Sequence, residues 1–251
     1  MLPFPPLNLR KTVGPLEDEF YDNRSGDPVF GDEVPLENYS SVFDFGCGCG
    51  RIARQLMMQR GTAVERYVGV DLYSDSIRWC SENLGRLNAA YRFHHLDVFN
   101  AQFNPGSKNT VLPFPENGKF LLINAHSVFT HITEPFLNYY LGECARVLDA
   151  TGICRATWFM FDKRTFPMMQ ESQNCLYINL NDPTNATIYD YRFVEKQYDE
   201  HGMVIFRIIP PAVRGHQWIL LAAPKGNVAR TRCEFPDDVA PMGIVRPPVS
   251  M

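Results

Sequence analysis

An apolar run, Ser41-Val42-Phe43-Asp44-Phe45, meets Gly46-Cys47-Gly48-Cys49-Gly50, and a helix-periodic segment over 52–60 follows at once. A short apolar run cut off by glycines reads as a buried strand, and the periodic segment as a helix. Alternating glycines let the chain turn sharply and let a ligand lie against its backbone. The helix that follows presents free N–H groups at its N-terminus. A strand, a glycine loop and a helix in that order commit the chain to an α/β architecture.

The rest of the chain continues the alternation. The pattern predicts strands over 67–70, 91–96, 120–123 and 152–161, and helices over 74–84 and 133–148. Ser74 or Asp75 would cap the first of these helices, and Glu134 and Pro135 fill the first turn of the second, where proline is tolerated. The run Phe120-Leu121-Leu122-Ile123 is continuously apolar, as strands inside parallel sheets are. A further helix is expected over 189–201, stopped by Gly202, then strands over 203–209 and 217–223. The last two, joined by a short link, would form an antiparallel hairpin at the sheet edge. The expected fold is therefore α/β: a doubly wound, mostly parallel sheet of seven strands with an antiparallel C-terminal hairpin. Residues 1–40 read as an irregular arm able to cap a substrate site, and 41–233 as the domain. Within it, 162–188 is a long, weakly patterned, lid-like segment. Residues 234–251 form a Pro-rich tail.

Composition removes several function classes. The chain has 251 residues, 45% of them apolar, enough for one substantial core. Its net charge of −4 supplies no broad positive field, so nucleic acid is not an expected partner. Seven cysteines form no disulfide framework or zinc spacing and suit reduced thiols in a cytoplasmic protein. No apolar stretch approaches the ~20 residues of a membrane span, and the first residues do not read as a signal peptide. A homo-oligomer is left open.

The glycine loop departs from a dinucleotide fingerprint. The third glycine of G-x-G-x-x-G would fall at position 51, which is Arg51. The spacing is instead D-x-G-x-G-x-G, starting at Asp44. Asp71 ends the second expected strand, and Asp97 follows the third in Leu96-Asp97-Val98. With these residues the chain resembles the class I S-adenosylmethionine-dependent methyltransferases, whose fold is the Rossmann-like version of this sheet. The resemblance implies that Asp44 lies near the methionine amino group, directly or through water. Gly46 and Gly48 would line the cofactor with backbone, Cys47 and Ala125 being lining positions as well. Asp71 would accept the ribose hydroxyls, as an acid at that place does in dinucleotide sites. Leu72 would pack on the adenine, Asp97 would accept from its amino group, and Val98 would offer it a backbone N–H. An acid suits a cationic ammonium and would not suit a pyrophosphate.

The acceptor side is read from Asn124-Ala125-His126-Ser127-Val128-Phe129-Thr130-His131 after the fourth strand. With Phe103-Asn104-Pro105-Gly106, Leu112-Pro113-Phe114-Pro115 and Arg146-Val147-Leu148, this stretch resembles a bacterial-type, small-molecule branch of that family. In that branch a Gln-Asp pair is common where Gln217-Trp218 stands. Methyl transfer is an in-line displacement in which the enzyme mainly aligns donor and acceptor. A hydroxyl acceptor also has to lose a proton, and a histidine can take it near neutral pH. His131 and His126 are the candidates. A sulfonium nearby would disfavour the imidazolium and keep such a histidine available as a base.

There is no Asn/Asp-Pro-Pro-Tyr/Phe after the fourth strand, no metal-binding Asp of the catechol-type enzymes, and no double-glutamate loop. The expectation is metal-independent O-methylation of a small molecule, sugar or glycan. Its alternatives are a cofactor-binding, non-catalytic relative and a methyltransferase of RNA or protein. A nicotinamide oxidoreductase is disfavoured by Arg51. The aromatic and Met side chains of the arm (Phe4, Phe20, Tyr21) and of 162–188 (Phe166, Met168, Met169, Tyr177) are candidates to shape the pocket.

Overall fold

The run 41–45 forms the first strand, β1 (Ser41–Phe45), and every residue after Ser41 in it is buried. The glycines end it, and the chain turns into α2 (Arg51–Met58), which follows a four-residue helix of the arm, α1 (Leu7–Arg10). These details come from a computed structural model, which describes residues 2–166, 168–211, 216–227 and 230–236. Most of the Pro-rich tail, residues 237–251, lies outside the described residues. The chain forms two compact units, 1–124 and 125–251.

In the amino-terminal unit, β2 (Arg66–Asp71), β3 (Tyr91–His95) and β4 (Phe120–Ala125) join β1 in the order β3-β2-β1-β4. All three pairings are parallel, with α2 crossing over from β1 to β2 and α3 (Ser74–Cys80) from β2 to β3. The register sets Asp44 beside Gly69 on one side and Asn124 on the other. The core of this unit is aromatic. Phe43 packs against Phe114 and Phe120 at ring distances of 4.6 and 5.2 Å, and Tyr67 stacks on Tyr91 at 4.9 Å.

Helix α3 is shorter than its periodicity suggests: a π-helical turn over Ser81–Gly85 carries on from it. Neither Ser74 nor Asp75 caps it. Tyr73 holds the N-cap position and makes no side-chain cap bond. Asp75 instead forms an exposed ion pair with Arg78 at 2.8 Å.

The arm is ordered by side chains rather than by repeating structure. Arg54 of α2 is buried and reaches back to it. Its guanidinium donates to the carbonyls of Tyr21 (2.6 Å), Leu2 and Pro3 (both 3.2 Å), pairs with Asp22 at 2.9 Å, and lies 3.8 Å from the centre of the Phe4 ring. Arg10 is buried in the same way, donating to Pro5 and Leu16 carbonyls and pairing with Asp18. Leu9 and Tyr21 then form a small cluster with Cys49 of the glycine loop.

In the carboxyl-terminal unit, α4 (Glu134–Val147) leads directly into a 14-residue strand, β5 (Leu148–Phe161). The segment 162–188 is not only loop. It contains β6 (Cys175–Tyr177) and enters β7 (Thr187–Asp190), which pairs in parallel with β5 and antiparallel with β6. These two strands were absent from the expected seven. Three and four residues are too short to show a period, and β7 runs straight into the helix that hid it, α5 (Tyr191–Glu200), capped by Asp190. The expected hairpin is present: β8 (Met203–Ile209) pairs antiparallel with β9 (Trp218–Pro224), and β9 with β5. Gly202 sits at φ +70° where α5 stops.

Candidate active site

The glycine loop has a left-handed backbone at Gly46 (φ 74°), Gly48 (φ 52°) and Gly50 (φ 80°). A side chain in that region costs ~1–2 kcal/mol, so glycine is demanded on conformational grounds alone. Space gives a second reason at Gly48. A Cβ there would stand 2.3 Å from Val13 of the arm. Gly50 is the N-cap of α2 and offers no side chain to that helix's first N–H groups.

Two of the three sequence-marked acids, Asp44 and Asp71, stand at this loop. Asp44 is 1% exposed, at the end of β1. Its Oδ2 accepts from the Tyr67 hydroxyl at 2.5 Å and its Oδ1 from Asn124 Nδ2 at 2.7 Å. Burial pushes its carboxyl up to about 6, against the opposing pull of those two hydrogen bonds. Asp71 accepts the backbone N–H of Gly48 at 2.9 Å and of Tyr73 at 2.8 Å, so one carboxylate ties the loop to the end of β2. Burial raises it too, opposed by these amides. A carboxylate with two oxygens has about four acceptor sites, so Asp71 can still receive a diol.

Asp97 and Val98 lie differently. Asp97 is exposed and takes Asn104 Nδ2 at 2.9 Å and Asn109 Nδ2 at 3.4 Å, and the Asn104 bond holds its carboxyl below the usual range. The Val98 amide donates to Leu96 at 2.7 Å. Both are engaged with their own neighbourhood; an adenine amino group at Asp97 would share it with Asn104. Leu72 is half-buried, its carbonyl 3.0 Å from His95 Nε2. Cys47 and Ala125 are buried. The Cys47 sulfur fills the space left by Gly69, where a Cβ would approach it to 2.9 Å. Cys47, Cys49 and Cys80 are free thiols, each pushed up by burial and so held protonated.

In the carboxyl-terminal unit the stretch after β4 is organised around one residue. Ser127 has φ 59°, the single described non-glycine residue with positive φ. Such strain persists only where the surroundings over-determine it. Here its N–H donates to Thr157 Oγ1 at 2.7 Å, Gln217 Nε2 donates to its Oγ at 2.8 Å, and Thr157 Oγ1 donates to Gln217 Oε1, closing a ring of three side chains. Sequence reasoning left Gln217 without a role and did not single out Thr157. Their only signal was a polar residue in the apolar end of β5 and another just before β9.

His126 is half-buried and His131 exposed. His131 Nδ1 lies 2.9 Å from the carbonyl oxygen of Thr184. A carbonyl only accepts, so Nδ1 carries the proton and Nε2 of the neutral ring carries the lone pair. Of the pocket-shaping candidates, Phe4 and Tyr21 pack inside the arm, Phe20 is half exposed, Phe166 meets Phe161 edge-on, and Met168 is 94% exposed. Among the described residues, no group of three or more His, Cys, Asp or Glu side chains is placed to hold a metal ion. None of the helices there is long and apolar enough to cross a membrane.

A parallel sheet with glycines at the end of its first strand, a buried acid there and a second acid ending the next strand is the arrangement the resemblance to class I, S-adenosylmethionine-dependent methyltransferases implies. The donor set fits that cofactor: an anion for its ammonium and an anion for its diol. Residues 42–152 match the family described as methyltransferase domain. Solved structures share the fold. An O-methyltransferase from a polyketide synthase multienzyme of Brevibacillus brevis, with S-adenosyl-L-homocysteine, is 12% identical at a TM-score of 0.54, covering 76% of this chain and 69% of that one. A TehB-like methyltransferase from Corynebacterium glutamicum is 16% identical at 0.52, covering 86% and 92%. An O-methyltransferase from neocarzinostatin biosynthesis is 10% identical at 0.51, covering 76% and 50%.

Proposed function

We propose that this methyltransferase acts on a hydroxyl group of a small molecule, a sugar or a glycan end, without a metal ion, with His131 as general base. The observation that carries this is the His131 ring. Its Nδ1–H is spent on the Thr184 carbonyl, which leaves Nε2 to take a proton. S-adenosylmethionine supplies the methyl group as an electrophile on a sulfonium. The chain supplies position and a base: Asp44, Gly46, Gly48 and Asp71 hold the donor, and the ring of Ser127, Thr157 and Gln217 fixes the backbone that leads to His131. Two of the structures sharing the fold are O-methyltransferases, one in complex with a hydroxylated naphthoic acid, and the proposed acceptor is of that chemical class. The arm, 2–40, is read as a cover of the donor loop, since Val13 stands against Gly48. The seven free thiols suit a cytoplasmic setting.

The test is methyl transfer from radiolabelled donor to a panel of hydroxylated small molecules, with RNA and protein as parallel acceptors. Label in a small-molecule hydroxyl is the expected result, and label in RNA or protein alone overturns the proposal. With an acceptor in hand, His131→Ala lowers kcat by about 10²–10⁴-fold, the usual worth of a general base. Its affinity for S-adenosylhomocysteine stays within about twofold, far below the effect of losing one bond to a charged group.

A further inference from the structure

Asp44 is a buried carboxylate whose two oxygens are each met by a donor from a different strand. Tyr67, 0% exposed, comes from β2, and Asn124, 0% exposed, comes from β4. Both are locked in place. Tyr67 stacks on Tyr91 at 4.9 Å and packs on Phe93 at 5.6 Å, while Asn124 is the strand partner of Asp44 itself. We propose that Tyr67 and Asn124 are positioning residues for the methyl donor: they clamp the Asp44 carboxylate from both sides and select its anionic form for the donor's ammonium.

The reason is an inventory of protons. Two donors facing two oxygens suit a carboxylate, whereas a protonated carboxyl would either set its own O–H against Asn124 Nδ2 or turn the Tyr67 hydroxyl from donor to acceptor. The other groups facing Asp44 do not replace the clamp. Arg51 from α2 favours the anion. Asp71 on β2 opposes it, and Cys47 in the loop and Cys80 of α3 are protonated thiols that give it no charge. Burial works against the anion most strongly, and donor binding is therefore linked to a proton. Affinity is constant above pH ~7 and falls as pH falls through about 6, where Asp44 takes up a proton.

The test is isothermal titration of the full chain with S-adenosylhomocysteine from pH 5 to 7.5, in buffers of different ionisation enthalpy. Wild-type protein releases about half a proton on binding at pH 6 and loses close to tenfold in affinity per pH unit below it, as one coupled group requires. Tyr67→Phe and Asn124→Ala each weaken binding at pH 7 by about tenfold, the worth of a hydrogen bond to a charged group. Each also moves the pH of half-loss upward. Asp44→Asn binds weakly with a flat profile. A merely structural role for Tyr67 or Asn124 would lower thermal stability and leave proton release and the pH of half-loss unchanged, and that result overturns the proposal. If neither variant folds, the wild-type proton count decides: no proton released at pH 6 overturns it as well.

Discussion

The donor loop and the stretch after β4 solve the same problem, holding the backbone in a left-handed turn at the carboxyl end of a parallel strand, by opposite means. Around Gly46, Gly48 and Gly50 the turn is free of strain because the side chains are missing, and Asp71 fastens it by accepting the amide of Gly48. At Ser127 the side chain is present and the strain is real. Thr157 of β5 and Gln217, just before β9, outweigh it. The first arrangement lets neighbouring side chains, Val13 at Gly48 and Leu84 and Cys80 at Gly50, pack against the bare backbone. The second keeps a hydroxyl in place and fixes the direction in which the chain leaves toward His131.

The largest break of this contrast is expected where the donor unit does depend on a side chain. Arg54→Ala removes the guanidinium that gathers Leu2, Pro3, Phe4, Tyr21 and Asp22. Breaking a buried pair from one side costs about 3–5 kcal/mol. Chemical denaturation should show that loss, and limited proteolysis should cut within residues 2–22. An unchanged cleavage pattern would mean that the arm is held by something else.

Next in size is Gly48→Ala. The left-handed φ costs ~1–2 kcal/mol, and the new Cβ would fall 2.3 Å from Val13. The single variant should lose about 2–3 kcal/mol, strain and overpacking together, along with measurable S-adenosylhomocysteine binding. Adding Val13→Ala should restore part of the stability, since only the clash is relieved. A double variant no more stable than the single one would show that backbone strain carries the whole effect.

The smallest effect isolates the strain at Ser127. Ser127→Ala and Ser127→Gly both lose the hydroxyl that Gln217 bonds, but only glycine is at ease at φ 59°. Glycine should therefore be the more stable of the two by about 1 kcal/mol, measured by thermal unfolding. Methyl transfer should fall in both. Equal stability of the two variants would remove strain from the account of this turn.

How much of this was legible follows the same division. The positions of Asp44, Gly46, Gly48 and Asp71 in the fold could be read because they are set locally. Each stands at a strand end announced by its own apolar run, and the backbone conformation there demands glycine. The strands β1 to β5, β8 and β9 were found from local pattern as well. Strands β6 and β7 were not, since three and four residues carry no period and β7 continues directly into α5. Tyr67 was also overlooked, its hydroxyl being hidden in a run that reads as plain core.

The sequence by itself determined the doubly wound sheet, the order of its motifs and the glycine loop, because strand periodicity, glycine conformation and acid spacing act over a few neighbouring residues. Tertiary structure alone decided what surrounds them. It set Tyr67 and Asn124 on Asp44, turned Asp97 toward Asn104, joined Ser127 to Thr157 and Gln217, and gave His131 the carbonyl of Thr184. Those contacts join residues up to 90 positions apart. A hydrogen bond within a few ångströms depends on strand register and side-chain direction, which no local pattern specifies.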